Sequence, residues 1–174
     1  KPGSSPPSVP PVITKPRKSL PCLMQKIRKQ LDELESCIPH LEVRNEAISA
    51  SNVGWQIEHD LLVISSVIEG VKRSDPSQYQ WRFKPLKYVI LWRGVIPRGK
   101  VGAPKLVTPG EITQETLHAH IALCRERLIE LAQVEDGNYF THPFLGDLKK
   151  KETFRFLYIH TEHHLKIIRE MLEH

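Results

Sequence analysis

Four segments of this chain space their apolar side chains three and four positions apart, and no segment of useful length alternates them. A repeat near 3.6 residues lines one face of a helix, whereas a repeat of two would line one face of a strand, so the pattern predicts an all-α fold. Leu23, Ile27, Leu31 and Leu34 mark a first helix from about Leu20 that ends near Cys37, with Pro39 preventing its continuation. A second helix starts at Ser51 or Asn52, either of which can cap its free amides. It runs through Trp55, His59, Leu62, Val63, Val67 and Gly70 and stops before Ser74-Asp75-Pro76. Its other side carries Ile57, Leu61, Ile64 and Ile68, so it is apolar nearly all round and belongs in the middle of a bundle. Phe83 to Val95 reads as a shorter helix carrying Leu86, Val89, Ile90 and Val95, and Pro97 to Gly110 as an irregular connection rich in glycine and proline. A further helix follows Thr113 and continues to Gly137, and the last occupies about Lys150 to Met171. Four main helices with a long connection between the second and the fourth predict a four-helix bundle with a crossover and an extra short helix.

The chain's 174 residues, 40% of them hydrophobic, suffice for one domain with a full core. Seven of the fourteen prolines fall before residue 22, so residues 1–19 read as a Pro-rich arm and 20–171 as the bundle domain. The terminal Leu172-Glu173-His174 has the look of a tag remnant, and His174 is set aside. No apolar run is long enough to span a bilayer, which removes a membrane from the expected partners. Cys22, Cys37 and Cys124 are odd in number and widely spaced, the pattern of free thiols in a reducing, cytoplasmic compartment. The net charge of +5 is scattered over several elements without a helix-turn-helix or RNA-binding signature, so nucleic acid is not an expected partner either.

Among nine histidines, those of the last helix stand apart. With His160 set at zero on a helical projection, His164 falls at roughly 40°, Ile167 at roughly −20° and Met171 at roughly 20°. Both imidazoles therefore lie inside the apolar stripe, one turn apart, while His163 lies on its flank. Buried ring nitrogens need partners, and a spacing of four on one helix face lets two imidazoles converge on one metal. The third candidate is His59, which shares its face with Trp55, Val63, Ser66 and Gly70. If the second and last helices are neighbours, three imidazoles can hold a divalent cation from one side and leave positions for water or substrate. The competing reading is a set of core histidines satisfied by ordinary hydrogen bonds. His118 and His120 point apart on their helix, His40 lies in a turn, and His142 in Thr141-His142-Pro143-Phe144 suits a structural turn or a pocket mouth.

His142-Pro143-Phe144-Leu145-Gly146-Asp147-Leu148, followed by Phe156-Leu157-Tyr158-Ile159-His160-Thr161-Glu162-His163-His164-Leu165, resembles the ending of the DinB-like four-helix metalloproteins, above all their bacterial branch of unknown function. Asn52 to His59 is similar to the second-helix segment of that family, and Ile96-Pro97-Arg98-Gly99-Lys100 to Pro104 is similar to one of its loops. The resemblance covers about residues 20 to 171. It implies a metal site at His59, His160 and His164, with His163 as the alternative, holding zinc, nickel, manganese or iron. It also implies relatives that are thiol-dependent transferases or isomerases, and pairing with a second copy is common among such bundles. Lys149-Lys150-Lys151 departs from the family pattern. Three cations oppose the dipole at a helix start, which leaves Asp147 to cap the helix or the lysines to face an anionic partner.

These readings converge on a metal-dependent enzyme of the thiol-transferase kind, acting on a small-molecule thiol, with Arg93, Arg98 and Lys100 holding a carboxylate of the cosubstrate. The alternative is a non-catalytic helical module whose histidines bind metal structurally or not at all. A closed site would need a fourth protein ligand, for which only Cys124 and His120 offer themselves.

Overall fold

The computed structural model describes residues 19–98 and 107–173. The Pro-rich arm and Lys100 therefore lie outside the described residues. The described residues are mostly helical: α1 (Ser19–Ser36), α2 (Val53–Arg73), α3 (Pro85–Arg93), α4 (Gln114–Gln133) and α5 (Lys150–Leu172).

Each helix boundary has a local cause. Asn52 caps α2, its Oδ1 accepting from the Trp55 amide at 2.9 Å. Thr113 caps α4 by a reciprocal exchange with Thr116, and α4 ends at Gln133, four residues short of Gly137. The short helix is narrower than its apolar pattern suggested. Pro85 fixes its first turn and disfavours helical geometry at Lys84, while Gly94 closes it at φ 68, a left-handed value that favours glycine.

The four long helices bury their stripes against one another: α1 packs on α4 and α5, and α2 packs on the same two. Ile27, Leu31, Leu34, Ile57, Leu61, Ile64, Ile68, Leu117, Ile121, Leu128, Leu157 and Leu165 are fully buried between them. Helix α3 contributes much less. Of its apolar side chains only Ile90 is buried, and Leu86, Tyr88, Val89 and Trp92 are exposed.

The sequence pattern showed no strand, but the structure has a small antiparallel hairpin, β1 (Tyr139–His142) and β2 (Gly146–Lys149), with Phe140 opposite Leu148. Four-residue strands are too short to display an alternating run, which is why periodicity missed them. Gly146 at φ 70 turns the chain into β2. Phe140 lies against α2 at Gly70, where an added Cβ would stand 2.8 Å from its ring. The small residue on the His59 face thus admits this aromatic ring.

Two of the three lysines at the start of α5 find partners within the chain. Asp147 does not cap the helix; it accepts from the Thr141 hydroxyl at 2.8 Å and the Gln80 amide at 3.2 Å. Glu152 takes the capping part, accepting from the Lys149 amide at 3.1 Å. Lys150 is buried and donates to the Val134 carbonyl at 2.6 Å, and the Lys149 ammonium lies over the Tyr79 ring at 4.3 Å.

Candidate metal centre

Packing α2 against α5 brings His59, His160 and His164 together, and one ring nitrogen from each lies within 4.8 Å of the other two. Ring centroids are separated by 5.5 Å for His59 and His160, 4.9 Å for His59 and His164, and 4.6 Å for His160 and His164.

The hydrogen bonds on the far side of each ring decide which nitrogen is available. His59 donates from Nδ1 to the Val107 carbonyl at 2.7 Å, His160 from Nδ1 to Asp60 Oδ1 at 2.8 Å, and His164 from Nδ1 to Gln56 Oε1 at 2.7 Å. A carbonyl, a carboxylate and an amide oxygen can only accept, so each ring carries a proton on Nδ1, and a neutral ring so held keeps its Nε2 lone pair free. On its other side the Gln56 amide nitrogen donates to Ser49 Oγ at 3.0 Å. Gln56 and Asp60 stand one turn apart on α2, matching the one-turn spacing of His164 and His160 on α5.

Burial reinforces the arrangement. It pushes His59 and His164 below the ordinary imidazole range, and proximity to His160 adds to both. Neutral imidazoles are the form that binds metal. Trp55 stacks on His59 at 4.9 Å and 6°, fixing the ring plane.

Asp60 is fully buried, and its Oδ2 has no hydrogen-bond partner among the described residues. A carboxylate out of water with a single donor is costly unless positive charge lies close by. A divalent cation on the other side of the His160 ring would supply that charge, in the manner of a carboxylate–histidine–metal triad. The three nitrogens, their oxygen-bound backs and the orphaned carboxylate oxygen all fit such an ion.

The other singled-out residues are not among the converging three. His163 is not one of the three rings whose nitrogens converge, although it packs edge-on to His164 at 5.1 Å; burial first, then His160 and Arg98, push it down to about 4. Arg98 forks onto Glu170 with contacts of 2.6 and 2.8 Å, and Arg93 is exposed at the end of α3. Cys124 and His120 do not join the cluster. They sit in the α2–α4 seam, where His120 Nδ1 donates to Glu58 at 3.0 Å and Ser65 donates to His120 Nε2 at 3.0 Å. Cys124 lies 3.5 Å from the Ser65 hydroxyl. Gln56, Asp60 and Val107 escaped the sequence reading. A visible signal was Asp60 itself, an acid in a helix apolar nearly all round.

Fold and cluster together define a mostly helical protein with three converging imidazoles between two long helices. The family described as "Protein of unknown function (DUF1569)" matches residues 55–171, and the chain belongs to it. Neither a curated protein nor a solved structure matches the chain.

Proposed function

We propose that His59, His160 and His164 hold one divalent metal ion (zinc, nickel, manganese or iron) and that the protein is a metal-dependent enzyme of the DinB-like type, a thiol-dependent transferase. The observation that carries the reading is the matched tautomer of the three rings: each Nδ1–H is tied to its own oxygen, and a nitrogen of each faces the other two. The motifs that resemble the DinB-like family fall on these elements, and the mutual packing of the four long helices supports the same bundle with its crossover.

A metal bound by three neutral imidazoles keeps its full charge and can lower the pKa of a coordinated thiol or water by several units. The chain's own residues prepare for that. Val107, Asp60 and Gln56 hold the ring orientations, Asp60 offsets part of the added charge, and Trp55 keeps His59 from rotating. Neither Cys124 nor His120 is free to act as a fourth ligand, which favours an open coordination position over a closed structural site.

A second reading has its own observation. The 2.8 Å contact between His160 and the buried Asp60 also suits an imidazolium–carboxylate pair with no metal, within a helical interaction module. Metal analysis of untagged protein purified without a nickel column separates the two. The metal reading expects close to one equivalent and a higher melting temperature on adding zinc. Less than about a tenth of an equivalent, with no thermal gain, contradicts it. Turnover of a thiol with an electrophilic acceptor, lost in His59→Ala and His164→Ala, tests the catalytic half.

A further inference from the structure

His142 lies on the hairpin, one aromatic ring (Phe156) away from His160, and its Nδ1 accepts where theirs donate. Its Nδ1 accepts from the amides of Phe144 at 3.1 Å and Leu145 at 3.2 Å. Two N–H donors on one nitrogen fix it as the acceptor, so the ring proton sits on Nε2. The ring packs edge-on to Phe156 at 4.9 Å, and Phe156 in turn lies 5.7 Å from His160. Burial, followed by the nearness of His160, pushes His142 down to about 4, which keeps it neutral at pH 7. The Nε2–H has no acceptor among the described residues, although the turn has already used the other nitrogen. A purely structural turn histidine is satisfied by the Nδ1 contacts alone. Packing on Phe156, itself against His160, holds the ring, and the two Nδ1 contacts leave Nε2–H as its one free donor among the described residues.

We propose that the His142 Nε2–H donates a hydrogen bond to the exogenous ligand of the centre formed by His59, His160 and His164, and that this ligand presents an anionic or carbonyl acceptor there. The inference rests on the metal reading above. A neutral donor orients and polarises such an acceptor without charge repulsion against a cation, so His142 is a positioning residue. It selects ligands with a lone pair on the hairpin side and disfavours those that turn an N–H there.

The test uses cobalt(II) as the metal and azide as the small anionic probe, on untagged full chain. In the wild type, azide shifts the visible cobalt spectrum saturably. His142→Phe keeps the ring volume and one cobalt equivalent but binds azide about tenfold more weakly, the loss of one hydrogen bond. His142→Gln, which carries both an acceptor and an N–H donor, recovers most of that affinity. Equal azide affinity in wild type and His142→Phe overturns the inference while leaving the metal reading intact. Failure of the wild type to take up cobalt overturns the metal reading itself. If His142→Phe does not fold, nitrogen-15 NMR of the zinc-loaded wild type serves instead. The Nε2–H resonance of His142 moves downfield on adding azide, and an unmoved resonance overturns the proposal.

Discussion

Helix α2 carries polar groups into two seams, and the two are wired differently. Toward α4, Glu58, His120 and Ser65 form a closed circuit in which His120 donates from one nitrogen and accepts on the other. Toward α5, three histidines donate from Nδ1 and, among the described residues, receive no hydrogen bond on Nε2, and a buried carboxylate oxygen is left over. The first seam is a polar network complete in itself. The second is complete on its outer side and gathers three imidazoles within, one ring nitrogen of each within 4.8 Å of the other two. Burial alone does not separate a structural histidine from a ligand; what each second nitrogen does separates them.

Replacing ligands should break this contrast most sharply. His164→Ala is expected to take bound metal from about one equivalent to background and to abolish zinc-dependent thermal stabilisation, read by elemental analysis and melting curves. Removing an outer partner acts more mildly. Asp60→Ala should weaken zinc binding about 10- to 100-fold in a competition titration, because His160 loses the acceptor that sets its tautomer. In the α4 seam, Ser65→Ala or His120→Ala should leave metal content unchanged and lower urea-unfolding stability by about 1–3 kcal/mol. Metal loss in these variants would mean the two seams are not independent.

The thiols supply the smallest effect. Burial pushes Cys124 up to about 12, so it remains a thiol at pH 8, whereas Cys22 is exposed. A thiol reagent at pH 8 should therefore label Cys22 in the folded protein and reach Cys124 only in denaturant. The sign for stability follows: a thiol whose folded pKa is raised favours the folded state below about pH 9, and that contribution is lost as pH climbs toward 12. Rapid labelling of native Cys124 would contradict the packing of the α4 seam.

The helices were legible because their stripes are long: Leu23 to Leu34 and the core face of α2 repeat often enough to state a period. The one-turn spacing of His160 and His164 was legible for the same reason, and His59 from the face it shares with Trp55, Val63, Ser66 and Gly70 on the second helix. The hairpin was not, since four-residue strands give no period and their pairing depends on the turn at Gly146. Helix α3 misled in the other direction, because an apolar pattern says which residues share a face and not whether a neighbour covers it. The outer partners were hidden for a chemical reason. Gln56 and Asp60 are common residues whose part is visible only once α5 lies beside α2, and the Val107 contact is a backbone carbonyl that leaves no mark in sequence.

X-ray absorption at the zinc edge of stoichiometrically loaded, untagged protein addresses the centre most directly. Three imidazole nitrogens at about 2.0–2.1 Å, with one or two further oxygen or nitrogen scatterers and no sulfur, are the expected shell. A sulfur scatterer near 2.3 Å, or fewer than two imidazoles, would mean that the three rings between α2 and α5 do not hold the ion.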